Sequence, residues 1–150
     1  MKKILAITFT CLISFQSFAF ANIPRVKITA LKNNMSIVQG TLDNYASNSS
    51  GAFPEDINDL ITEAKNGSYW KPIKNPFNNH EGVGKNGSII NYRDYNQKAK
   101  MGGLVLYQTS GCTNDPATSK ANCTSYKLFC TDSDGKLVEF QGTPYSLSNN

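Results

Sequence analysis

Histidine occurs once in the 150 residues, at His80, and tryptophan once, at Trp70. A lone histidine excludes a multi-histidine metal centre and leaves little material for nucleophile–histidine catalysis. Charge is scarce too, at 17% of residues, with 15 basic against 11 acidic and a formal net of +4. That excess is too small to point to nucleic acid, which needs a clustered basic face. Cysteine is limited to four residues with no Cys-x-x-Cys pair, so zinc-ligand spacing is missing. No internal repeat is visible. What remains, 39% apolar in one domain's worth of chain, is a small polar domain, neither a membrane bundle nor a highly charged disordered tail.

The N-terminus carries an address. Met1-Lys2-Lys3 is a short basic region, the run from Ile4 to Phe15 is apolar, and Ala19-Phe20-Ala21 is a small-x-small cleavage pattern. This is the order of a secretory signal peptide over residues 1–21. The stretch from Ile4 to Ala21 approaches the length that spans a bilayer, but Ser14, Gln16 and Ser17 interrupt it. Cleavage after Ala21 predicts an exported protein, periplasmic or extracellular, with no stable membrane span and a net charge lowered by the loss of Lys2 and Lys3.

Cys11 leaves with that segment, and Cys112, Cys123 and Cys130 remain. An odd number leaves one thiol unpaired or bonded to another chain. Cys112 and Cys123 flank a polar loop, 113–122, between two apolar segments. A hairpin with Thr109 opposite Ser125 or Thr124 predicts a Cys112–Cys123 disulfide at the loop mouth, as an oxidising compartment allows. Cys130 alternates with Tyr126 and Leu128, which predicts a buried free thiol. The competing Cys112–Cys130 bond would cut across that register.

Along the exported chain, Ile28, Leu31, Met35, Val38, Leu42 and Tyr45 recur at helical spacing, with Lys27, Lys32, Asn33, Asn34, Gln39 and Asp43 on the water side. Asn48-Ser49-Ser50-Gly51 ends that helix. A short helix follows Phe53-Pro54, acidic at its start (Glu55, Asp56) and apolar at Ile57, Leu60, Ile61 and Ala64. An irregular stretch, 68–85, holds Trp70, Pro72, Pro76 and Phe77. Its end, His80 to Lys85, lacks the ending of a phosphate loop. Strands are expected at 88–92, 103–109, 125–131 and 136–140, the last after the Asp132-Ser133-Asp134-Gly135 turn. Residues 141–150 read as a polar, flexible tail. The fold class is α+β, with a long N-terminal amphipathic helix on a small antiparallel sheet over residues 22–140.

The order of these parts is suggestive: a stem with Ile23-Pro24, a long helix ending in Tyr45, an Asn/Ser/Gly break, Phe53-Pro54, a helix with Leu60, the Asn75-Pro76-Phe77 loop, then strands. It resembles the globular domains of type IV pilins and of the pseudopilins of type II secretion. The prepilin peptidase signature of that family is missing: no glycine precedes Gly40 and no acidic residue precedes Asp43. The resemblance implies a pilin-like α+β fold and a non-enzymatic structural or interaction protein with protein partners in a secretion or adhesion assembly. It also implies a calcium site in the C-terminal turn, with Asp132 and Asp134, and Glu139 beyond, as oxygen donors; the Asp-Gly turn explains the aspartates without a metal.

The second function considered is a stand-alone secreted binding module that recognises a protein or glycan through Tyr69, Trp70 and Phe77; the same aromatics, with Tyr92 and Tyr95, would otherwise cap the core. His80-Glu81 and Arg93-Asp94 are the remaining acid–base candidates, and no nucleophile motif accompanies them. Five Asn-x-Ser/Thr patterns, at Asn34, Asn48, Asn66, Asn86 and Asn122, matter only in a host that glycosylates them.

Overall fold

The computed structural model describes residues 25–114 and 121–149 in full and residues 2–24 as helical backbone alone. The signal-peptide reading of residues 1–21 therefore lies outside the described side chains. Among the described residues no helix is long and apolar enough to cross a membrane.

Helix α1 spans Lys2–Asn48. Leu31, Met35, Val38 and Leu42 on it are fully buried, Tyr45 nearly so, and Ile28 half-buried, which is the stripe that the 3,4-spacing predicts. Four of the six residues expected on the water side depart from expectation, Lys27 and Gln39 being half-buried beside Phe77 and the Ser148 carbonyl. Asn34 is buried and its Nδ2 donates to the Lys74 carbonyl at 2.7 Å. Lys32 is half-buried, its ammonium 4.1 Å from the Tyr145 ring centre. All four flank the stripe, where the loop holding Lys74 and Phe77 and the C-terminal segment holding Tyr145 and Ser148 reach them.

Strand β1 (Phe53–Pro54) leads into α2 (Ile57–Asn66), which buries Ile57, Leu60, Ile61 and Ala64. Asp56 caps it, its carboxylate accepting from the Asn58 amide at 2.8 Å and satisfying one of the free donors of the first turn. The main sheet contains β2 (Ile89–Asn91), β3 (Val105–Ser110), β6 (Ser125–Cys130) and β9 (Leu147–Ser148), in the order β2-β3-β6-β9. A smaller sheet joins β1, β5 (Ala121–Cys123) and β4 (Thr113–Asn114), in the order β1-β5-β4, and β7 (Glu139–Phe140) pairs with β8 (Thr143–Pro144).

The β3–β6 hairpin pairs Thr109 with Tyr126 and Ser110 with Ser125, one step from the register expected for Thr109. Strand β2 departs further, because it lies parallel to β3, with Ile89 opposite Val105. The connection through residues 92–104, with two single 3₁₀ turns, Tyr92–Asp94 and Gln97–Ala99, is long enough for a parallel return. Leu104-Val105-Leu106-Tyr107 is buried at every position because the sheet is covered on both faces. Val105, Tyr107 and Ile89 join the core under α1, whereas Ile90, Leu104 and Leu106 meet Tyr92, Tyr95, Met101, Phe129 and Leu137 behind the sheet.

The C-terminal end also differs from expectation. Beyond the Asp-Gly turn the chain stays beside β6 only through Thr131 opposite Leu137 and the Val138 amide on the Cys130 carbonyl. It then folds back at Gln141 and Gly142, both with positive φ, as a tight hairpin needs. The tail is held: Leu147 pairs with Leu128, and Tyr145 and Leu147 pack on the core.

Candidate functional site

An ionic cluster at the start of α2 is a well-formed polar feature of the described residues. Arg93 forks between Glu55 Oε1 at 3.0 Å and Asp56 Oδ2 at 2.6 Å. Asn91 donates to Asp56 Oδ2 at 3.0 Å and accepts from the Ile57 amide at 2.9 Å. Burial alone would raise the Asp56 pKa; the Asn58 amide and side chain, Arg93 and Asn91 together hold it below the usual carboxylate value. Both Asp56 oxygens are occupied, so the cluster fastens α2 to β2. Arg93 and Asp94 are acid–base candidates by sequence. Arg93 serves this fastening, and Asp94 accepts from Asn91 at 3.3 Å.

The three aromatics read as a recognition surface are set apart from one another. Trp70 lines a half-open cleft of 510 Å³ with Asn58, Thr62 and Lys65 of α2 on one wall and Glu81 and Val83 on the other. Its ring also packs on the core. Tyr69 lines a separate, smaller groove against Ser36, Gly40 and Asn44 of α1, and its phenol pKa is pushed up by burial. Phe77 packs on the core with the Lys27 ammonium 5.0 Å above its ring.

Between Trp70 and β2 the loop is organised by Asn75, which is fully buried. Its Nδ2 donates to the Gly87 and Gly102 carbonyls at 3.0 and 2.9 Å, and its Oδ1 accepts from the Phe77 amide at 2.9 Å. Gly103, at φ +77°, passes so near that a Cβ would sit 2.1 Å from Asn75 Oδ1. His80 is exposed, its Nδ1 3.1 Å from the Asn86 carbonyl, and Glu81 pairs with Lys74 at 3.3 Å.

The Asp132–Gly135 turn uses its first aspartate internally, since Asp132 Oδ1 accepts from the Asp134 and Lys136 amides at 2.9 Å each. Asp134 is exposed, and Glu139 lies in β7. Among the described residues, no three His, Cys, Asp or Glu side chains come together as metal ligands would. Cys112 and Cys123 form a disulfide, with Cα atoms 3.9 Å apart. The bond closes the 113–122 loop at its mouth, and Cys123, which is buried, pairs with Phe53 across the small sheet, so it is this strand pairing that joins the loop to the link between the helices. Cys130 is a buried free thiol, with burial raising its pKa to about 11 against a smaller opposing effect of Lys32.

Sequence reasoning missed the Asn91–Asp56–Arg93 cluster and the Asn75 hub. Asp56 ahead of Ile57 was a legible capping signal, but its partners lie 35 or more residues downstream. Comparison of the chain with protein-family models, curated proteins and solved structures finds no match.

Proposed function

We propose that the chain is an exported, non-enzymatic interaction protein of pilin-like architecture that works as a component of a secretion or adhesion assembly. The observation that carries this reading is the division of labour on α1. One stripe of the helix is spent on the domain's own core, and Arg25, Val26, Asn33, Ser36 and Asp43 stay exposed along the other side. The order of long helix, Phe53-Pro54, short helix, Asn75 loop and sheet supports the pilin resemblance, although β2 runs parallel to β3. The polar clusters support a non-enzymatic reading because their members are committed: Asp56 and Arg93 to a helix cap, Asn75 to three backbone groups, Asp132 to its own turn. Fractionation of the source cells tests this. The protein is expected outside the cytoplasm, beginning at Asn22, in the same fraction as a surface or secretion assembly; a cytoplasmic protein that retains Met1 would refute it.

A second reading, a stand-alone binding module, rests on the Trp70 cleft. Its indole and the adjoining Asn58, Thr62 and Lys65 have the mixed apolar and polar character of a ligand pocket. Trp70→Ala would then abolish ligand capture and leave assembly association intact.

A further inference from the structure

The Asp132–Gly135 turn draws attention as a cation candidate, yet its surroundings carry the opposite charge. Lys98, Lys100 and Lys136 line one shallow depression of 440 Å³ with Gln97 and Asp134. All three lysines are exposed. Three ammonium groups against Asp134 on the lining and Asp132 in the same turn leave the depression net positive, which disfavours a divalent cation and attracts oxyanions.

The platform beneath them is rigid. Asn96 caps the turn that follows it through the Lys98 amide at 3.0 Å, and the Lys100 amide closes on the Gln97 carbonyl at 3.1 Å. Lys100 sits in the left-handed region at φ +49°, a conformation unusual for lysine. Gly135 is pressed against it so closely that a Cβ would lie 2.7 Å from the Lys100 carbonyl carbon. The Tyr95 hydroxyl donates to the Gly135 carbonyl, and burial pushes the phenol pKa up. Two turns 35 residues apart are thus fused, and together they bring lysines from separate segments to one spot.

We propose that the fused turns 96–100 and 132–136 form a binding site for an acidic polysaccharide, with Lys98, Lys100 and Lys136 meeting its sulfate or carboxylate groups and Gln97 its hydroxyls. Lysine suits this ligand, because compact mobile charges match anions spaced along a chain better than a fixed fork does. An open, shallow depression admits a continuous chain. Among the described residues, the exposed large apolar side chains Val26, Val83 and Phe140 do not line the depression, so its lining offers no apolar side chain to insert into a lipid surface. Tyr92 packs against both Tyr95 and Phe129, the two tyrosines rest on the cluster behind the sheet, and no aromatic ring lines the depression for base stacking. Asp134 is the opposing charge on the lining, whereas Asp132 of the same turn directs one carboxylate oxygen onto the Asp134 and Lys136 amides.

Binding of the full chain to a heparin-type sulfated polysaccharide, a polyuronate, neutral dextran and vesicles with and without phosphatidylglycerol tests the proposal. The sulfated or carboxylated chain is expected to bind, with affinity falling as salt rises. Lys98→Ala/Lys100→Asn/Lys136→Ala, which keeps a residue tolerant of positive φ at 100, should weaken binding about tenfold or more and flatten the log–log salt slope by about 2–3. Asp134→Asn should tighten it about two- to threefold by removing the opposing charge. The charge-matched control Lys71→Ala/Lys85→Ala/Lys127→Ala, three exposed lysines that do not line the depression, should stay within about twofold of the parent. Which polysaccharide binds identifies the anion. Binding to anionic vesicles alone, equal losses in the two triple variants, no binding to either acidic polysaccharide, or saturable calcium binding lost in Asp134→Asn would each overturn the proposal.

Discussion

A buried amide is costly unless each of its polar atoms is met, and Asn75 is the residue on which this fold depends most visibly. Its side chain holds the Gly87 and Gly102 carbonyls and the Phe77 amide, joining the loop after Trp70 to the entries of β2 and β3. Asn75→Ala should lower the unfolding free energy by about 2–3 kcal/mol, the cost of leaving buried backbone groups unmet; denaturant titration checks this. Asp56 carries a pH signature. Its folded pKa lies below the ordinary value, so its stabilising effect is complete above the unfolded carboxylate's pKa, near 4. The effect is lost as pH falls through the lower, folded value. The parent's advantage over Asp56→Asn is therefore expected to be about 0.5–1 kcal/mol at pH 7 and to fade toward pH 2, the charge being partly exposed. A pH-independent difference in unfolding curves would contradict the charge-based account.

Among the elements, α1 and α2 were legible because an amphipathic stripe records which side faces the core, from Leu31 to Tyr45 and from Ile57 to Ala64. Strands β3 and β6 were legible as apolar runs around a polar loop. What the sequence could not yield was pairing across distance: a parallel β2, a one-step shift at Thr109, and β9 laid on β6 by Leu147 and Leu128. The two-sided burial of Leu104 to Tyr107 did have a signal, since an unbroken apolar run marks a strand covered on both faces. The candidate site fared similarly: the disulfide followed from loop arithmetic, but Arg93 reaching Glu55 and Asp56 rests on tertiary contact alone. For α1, Leu42→Ala should cost about 2–5 kcal/mol, as for a fully buried leucine. Asn33→Ala, on the exposed side, should change stability by less than about 0.5 kcal/mol. Equal losses would contradict the stated orientation of the helix.

At the scale of the whole molecule, the disulfide closes the 113–122 loop while β1–β5 pairing joins the small sheet to the link between the helices, and α1 keeps one side exposed over residues 25–48. Cys112→Ser/Cys123→Ser should lower stability by about 3 kcal/mol, mostly through the freer unfolded chain. Mass mapping of a non-reduced digest should find Cys130 reduced, because its thiol is buried in the core. The central claim is that the free side of α1 meets the proteins of an exported assembly, and photo-crosslinking in the source cells tests it most directly. A photoreactive residue placed in turn at Val26, Asn33 and Ser36 of α1, and at Thr62 and Val83 beside the Trp70 cleft, compares the two surfaces. The account predicts discrete adducts with secretion or adhesion proteins from the α1 positions, recovered outside the cytoplasm. Adducts from the cleft positions alone, or a cytoplasmic protein without adducts at α1, would contradict it.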